Sequence, residues 1–327
     1  MDCSFLRVRI VTGLMLCALA TASIAQGPHP SGGPVRIVVA YPPGGVSDSI
    51  ARALAKRASS QLGVPVIVEN RGGAGGVVAM ESLKRAPPDG RTLVFSAISP
   101  LTLAPLFGPT GFDPDRDVTP VMSVMVTPVL VVGTRALAGD TLSAAISAAK
   151  ATPGGVRWAT SGVGTTGHLV LQRVQASSAV DITHVPYRGG SPQLSDALAG
   201  EFEVLSSNVG ETQLQYVREG RLKALAVGAP ARLDALPDVP TLAEAGFPEA
   251  NLVSTFGLFA PGRTPRRTIA MLNRAFNAAL RDPAIQRRLH AVGNLPTGGA
   301  AADFAAQIMR ERESGATPVP GARPHAP

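Results

Sequence analysis

The run Gly162-Val163-Gly164-Thr165-Thr166-Gly167 follows an apolar stretch and opens an amphipathic one, and Asp181 stands nineteen residues beyond Gly162. That spacing fits a dinucleotide fingerprint, in which glycines bring backbone close to a pyrophosphate and a carboxylate holds the ribose. Two other readings compete with it. Small residues at a helix start expose backbone N–H groups to any small anion, here with the Ser161, Thr165 and Thr166 hydroxyls beside them. A tight turn with a capped helix needs the same residues and no ligand. Gly44-Gly45-Val46-Ser47-Asp48 occupies the equivalent place near the start of the chain. Gly72-Gly73-Ala74-Gly75-Gly76 lacks the Lys-Ser/Thr of a phosphate loop, so nucleotide hydrolysis is not supported. Ser96 and Ser99 fall at the end of one predicted strand and Asn208 after another, places that line crevices in open parallel sheets.

Other chemistries find no residues. His29, His168, His184, His290 and His325 are widely spaced and form no HxH, HExxH or paired-carboxylate set, so no metal centre is expected. No GxSxG surrounds Ser96, Ser161 or Ser191, which removes the nucleophile elbow of a serine hydrolase. His168 at a helix opening reads as a capping or core-edge residue, and His184 at a strand end reads the same way. The two cysteines, Cys3 and Cys17, both lie in the first segment. There Arg7 and Arg9 precede an apolar run from Ile10 to Ala20 and the small-residue site Ser23-Ile24-Ala25, the pattern of a secretory signal. Cleavage after Ala25 is expected, with soluble export rather than a lipid anchor, because Leu16 before Cys17 is not small. The exported chain then has no cysteine and needs no thiol chemistry. It also meets no nicotinamide pool, which weighs against the dinucleotide reading.

The elements that must position these residues alternate. Val35 to Ala40 reads as a strand, a helix capped by Ser47 or Asp48 carries Ile50, Leu54 and Ala58 on one face, and Val64 to Glu69 and Thr92 to Ala97 are further strands. After Pro120 come strands Val121 to Val126 and Val129 to Val132, then helices and strands in turn as far as Val227. Such alternation implies a parallel sheet with right-handed crossovers. Ala229 to Pro248, with four prolines, reads as a connection between lobes, and a helix from Pro265 to Arg281 presents Ile269, Leu272, Phe276 and Leu280 to a core. The formal net charge is +7, but the basic residues are scattered and aromatic residues make up 4%, so no nucleic-acid partner is expected. With 26 arginines against 4 lysines, coding bias explains the charge more simply than a binding surface, although the positive field assists capture of an anion.

Seven ordered blocks carry a resemblance from about Val35 to Met309. They include Val38-Val39-Ala40-Tyr41-Pro42-Pro43-Gly44-Gly45 with Asp48, Val68-Glu69-Asn70-Arg71, and Pro88-Asp89-Gly90-Arg91-Thr92-Leu93. Ser161 to Thr165, Val185-Pro186-Tyr187-Arg188-Gly189, Leu236 to Thr241 and Gly257 to Pro261 continue the pattern. The chain resembles the Bug-type receptors, the extracytoplasmic solute-binding subunits of tripartite tricarboxylate transporters. The resemblance implies an α/β periplasmic-binding-protein fold (type II). Its two lobes each have a mainly parallel sheet flanked by helices, and a ligand sits in the cleft between them. Lobe 1 is expected over 34–122 and 237–314, lobe 2 over 123–236, a signal peptide over 1–25 and a disordered Pro-rich tail over 315–327. It further implies a periplasmic receptor, monomeric and without cofactor or catalysis, that delivers a small carboxylate to membrane permease subunits. A binding protein docking on a membrane sensor and a secreted enzyme stand as alternatives. The family pattern maps its ligand loops onto Tyr41, Pro43, Gly44, Gly45 and Asp48, and onto Ser161, Gly164, Thr165 and His168, with Ser96 and Asn208 added. Three departures stand out: Val77 after the glycine loop, Ser206-Ser207 where Phe-Asp is usual, and the proline-rich tail.

Overall fold

The structure, a computed structural model, describes residues 33–315. The expected signal segment and the tail beyond Gly315 lie outside the described residues.

The chain opens with β1 (Val35–Val39), α1 (Val46–Leu62), β2 (Val66–Asn70), α2 (Val77–Arg85), β3 (Thr92–Ala97) and the short α3 (Ser99–Thr102). β1 pairs in parallel with β2 on one side and β3 on the other. Alternation sorts its side chains: Val35, Ile37 and Val39 face one core and Val38 the other. On α1, Ile50, Leu54, Ala55, Ala58 and Leu62 recur at helical spacing and are buried in the first of these cores. The helix stops at Gly63, whose φ of +67° suits glycine.

β4 (Val118–Gly133) is one strand of 16 residues where the sequence suggested two. Pro128 does not end it. It marks the place where the strand changes partners, so the missing N–H is not needed by the ladder it is leaving. Beyond it come α4 (Leu142–Ala151), β5 (Arg157–Thr160), α5 (Thr166–Ser178), β6 (Thr183–Pro186), α6 (Gly190–Ala199), β7 (Val204–Asn208), α7 (Glu211–Arg218) and β8 (Lys223–Gly228). From Val129 onward β4 pairs antiparallel with β7 and β8, while β5 pairs in parallel with β6 and β7. Val129 and Val131 face one core, and Leu130 and Val132 the opposite one.

β9 (Val253–Pro261) returns along the first half of β4, antiparallel, with Pro128 opposite Val253 and Val118 opposite Pro261. α8 (Arg266–Leu280), α9 (Pro283–His290), β10 (Leu295–Gly298) and α10 (Ala301–Gly315) complete the chain. Parallel pairing therefore holds at the outer strands of each sheet, and the strands carrying the chain between the sheets pair antiparallel. Leu242 and Ala250 pack in the second sheet's core. The crossings accordingly fall at Pro128–Val129 and just before Val253, later in the chain than 122/123 and 236/237. Among the described residues, no helix is long and apolar enough to cross a membrane.

Candidate functional site

The loop entering α1 is held by a carboxylate rather than presented by one. Asp48 is 6% exposed. Its Oδ2 accepts from the Gly44 backbone N–H at 3.1 Å, and its Oδ1 accepts from Asn70 Nδ2 and pairs with Arg52, each at 2.9 Å. Asn70 also donates to the Tyr41 carbonyl at 3.0 Å. Burial alone would push the Asp48 carboxyl up, but Arg52, the Gly44 amide and Asn70 outweigh it and hold the group below its ordinary range. Asp48 thus points back to Gly44 and leaves α1 with Gly45 at its N-cap and no side-chain cap. The expected capping by Ser47 or Asp48 is not made.

Two further helices begin in the same way. α6 starts after Gly189 and α7 after Gly210, neither with a side-chain cap. These starts converge on α1: a Cβ on Gly45 would lie 3.9 Å from Ser191 Oγ, and one on Gly210 would lie 3.9 Å from Val46 Cβ. Ser191 Oγ donates to the Pro43 carbonyl at 3.2 Å, closing one lobe on the other. The three N-termini border a cavity of about 550 Å³, whose charged lining residues are Glu211 and Arg288. Helix starts without a side-chain cap turn the positive ends of three dipoles to this wall, which suits it to a carboxylate, with Asp48 and Glu211 already in the first turns of α1 and α7.

Of the residues singled out from sequence, the structure brings Tyr41, Pro43, Gly44, Gly45, Ser161 and Asn208 to this cavity. Tyr41 packs on Phe256 with ring centroids 5.8 Å apart, and its phenol oxygen accepts from the Ala97 N–H at 3.3 Å. Burial pushes its pKa up, so the phenol is neutral. Ser96 stands behind Tyr41, within reach of its hydroxyl, and does not border the cavity. Asn208 Oδ1 accepts from Ser254 Oγ at 2.7 Å, which leaves its amide donors for the cavity.

Gly164, Thr165 and His168 lie elsewhere. Thr165 caps its own helix, accepting from the His168 N–H at 3.3 Å and donating to the Gly162 carbonyl at 2.7 Å. Gly164 N–H donates to His168 Nδ1 at 3.2 Å, and the His168 ring stacks on His184, centroids 4.3 Å apart, and meets Phe107 at a tilt, centroids 4.8 Å apart. A Cβ on Gly164 would come within 2.7 Å of Ala104, and one on Gly75 within 2.9 Å of the Val163 carbonyl. The glycine-rich run before α5 therefore packs one lobe on the other, with the Gly162 and Gly164 N–H groups and the Thr165 hydroxyl occupied internally, and Gly162 to Gly167 do not border the cavity. Ser206, one of the departures from the family pattern, accepts from Trp158 Nε1 at 2.9 Å and donates to the Gly167 carbonyl at 2.8 Å.

Sequence reasoning missed Ser191, Leu194, Gln213 and Arg288. The available signal was Gly189-Gly190-Ser191 and Gly210 before amphipathic runs, helix starts without a capping side chain. Among the described residues no group of histidine, cysteine and carboxylate side chains is arranged to hold a metal ion.

A family profile described as "Tripartite tricarboxylate transporter family receptor" matches residues 50–316. The chain is 34% identical to protein BugT of Bordetella pertussis over 292 residues, covering 89% of each. It is similar in structure to MatC of Rhodopseudomonas palustris with bound malate (TM-score 0.81, 30% identity, 87% of this chain and 98% of that one). A second R. palustris protein, Rpa4515 with adipate, gives a TM-score of 0.79 at 30% identity, over 87% of this chain and 95% of that one.

Proposed function

The chain belongs to the tripartite tricarboxylate transporter receptor family, solute-binding receptors rather than enzymes, and from that premise we propose that it captures a small carboxylate between its lobes in the periplasm and hands it to a membrane permease. The observation that carries the reading is the meeting of three uncapped helix N-termini, from both lobes, at one cavity. Each such terminus stabilises an adjacent anion by about 0.3–1 kcal/mol, and up to about 2 kcal/mol where partly buried. Recruiting termini from both lobes makes capture and closure one event, because the anion's contacts are complete only when the lobes meet. The signal-like segment Met1 to Ala25 supports export, and the malate and adipate on the two R. palustris neighbours support a carboxylate as cargo. Ligand contacts are assigned to Tyr41, Pro43, Gly44, Gly45, Ser161 and Asn208, with Asp48 and Ser96 supporting them from behind.

Calorimetric titration of the purified protein with malate and with adipate tests the reading. Saturable one-to-one binding of either acid, lost for the corresponding uncharged diamides, is the expected result. No heat with any carboxylate, or equal heat with the diamides, overturns it.

A further inference from the structure

The cavity changes character along two of its walls. On α6 the bordering residues run from Gly190 and Ser191 through Leu194 to Leu198, a span of about 12 Å at ~1.5 Å per residue. On α7 they run from Gly210 through Glu211, Thr212 and Gln213 to Tyr216, about 9 Å by the same rise, so the polar part of this wall is its first turn and Tyr216 ends it. Both helices therefore offer backbone donors at one end and an apolar side chain one to two turns further on. Leu194, Leu198 and Tyr216 are only partly buried, and all three pack against one apolar cluster that also contains Val292. Val292 borders the cavity too and lies just beyond the end of α9, so this wall is built from three separate segments.

Resting on the receptor reading, we propose that the preferred ligand is a carboxylate joined to an apolar body of about six to eight carbons, straight-chain or aromatic, and not a compact hydroxylated acid. The carboxylate sits at the three helix starts and the body lies along Leu194, Leu198, Tyr216 and Val292. At about 550 Å³ the cavity lies within the range of about 300–1,000 Å³ typical of pockets that bury most of a drug-sized ligand, so a body of about six to eight carbons has room in it. A compact acid would satisfy the donors and leave the apolar wall in contact with water, forfeiting the burial that wall offers.

Calorimetric titration with butanoate, hexanoate, octanoate and malate tests the proposal. Affinity is expected to rise by about fourfold per added methylene group from butanoate to octanoate. Hexanoate should bind more tightly than malate. Leu198→Ser should reduce the gain per methylene, and Leu194→Ala should do the same as a milder substitution. Ser191→Ala should instead lower affinity for every acid by one common factor. Malate binding more tightly than hexanoate, or a chain-length dependence unchanged in both leucine variants, overturns the apolar-body proposal and leaves the receptor reading standing. Failure of all four acids to bind while adipate binds overturns the apolar-body proposal alone, and failure of adipate as well overturns the receptor reading.

Discussion

Ser191 and Pro43 are joined across the cleft by a hydrogen bond of 3.2 Å, from the serine hydroxyl to the proline carbonyl. The bond ties the start of α6 to the loop entering α1, so the wall proposed to hold an anion is assembled from both lobes. Pro43 has no N–H of its own, and its carbonyl is the acceptor of this contact between the lobes.

Closure should be separable from folding at Gly75. Its φ is +62°, and an added Cβ would stand 2.9 Å from the Val163 carbonyl of the other lobe. Gly75→Ala should fold but resist closing, because opening the cleft relieves the clash. Solution scattering with saturating ligand should give a larger radius of gyration than wild type, and affinity should fall about tenfold if closure loses ~1.4 kcal/mol. A variant as compact and as tight-binding as wild type would show that the loop contact plays no part in capture.

Thr165 should matter to stability and little to binding. Its hydroxyl is occupied by its own helix start and by the Gly162 carbonyl. Thr165→Ala should cost about 0.5–2 kcal/mol in a denaturant melt. Ligand affinity should stay within about twofold, a change of ~0.4 kcal/mol or less. A loss of affinity with unchanged stability would return the anion site to the start of α5.

That residue also shows where sequence reasoning runs out. A threonine capping its own helix and a threonine offered to a ligand have the same sequence signature, and only the fold shows that Gly75 lies against this one. The strands and helices with clear periodicity, such as β1, α1 and α8, were legible because their apolar spacing reports a buried face. β10 was not legible: it is short, contains Pro296, and exposes Leu295, so its hydrophobic pattern carries no signal. The Gly44-Gly45 loop was visible as chemistry, whereas the starts of α6 and α7 were not, because an uncapped helix start is marked by a missing side chain.

Asp48 links stability to pH. Its folded pKa lies below the ordinary aspartate value, so its stabilisation is full above the unfolded value of about 3.9 and is lost as pH falls through the lower folded value. Asp48→Asn should lower stability at pH 7 by about 1.5–3 kcal/mol, through charged hydrogen bonds lost to Gly44, Asn70 and Arg52. The gap between variant and wild type should narrow below about pH 4. Thermal melts between pH 7 and pH 3 measure it, and a pH-independent gap would mean that the carboxylate's charge is not what holds the loop.

Trp158 supplies an internal reporter, since it is the chain's sole tryptophan and is fully buried. Its indole N–H is satisfied by Ser206 Oγ. Ser206→Ala strands that donor and should cost about 1–3 kcal/mol. A tryptophan-detected urea transition should move to lower denaturant with an unchanged slope. An unmoved midpoint would mean that the hydroxyl is dispensable to the indole.

The last question is whether the anion is held by fixed amide groups or by a guanidinium. Arg188 does not border the cavity, whereas Arg288 does, from an exposed position on α9. An exposed charge contributes little and is screened by salt. Arg288→Gln should therefore reduce carboxylate affinity by no more than about fivefold, ~1 kcal/mol, with the effect shrinking in high salt. Arg188→Ala should leave affinity unchanged. Asn208 is different, because Ser254 occupies its Oδ1 and orients its amide donors. Asn208→Ala should cost about 1.5–3 kcal/mol of binding, tenfold or more, with weak dependence on salt. Calorimetry of the three variants at low and high salt ranks the two mechanisms. Binding abolished by Arg288→Gln and retained by Asn208→Ala would replace the helix-start site with an arginine clamp.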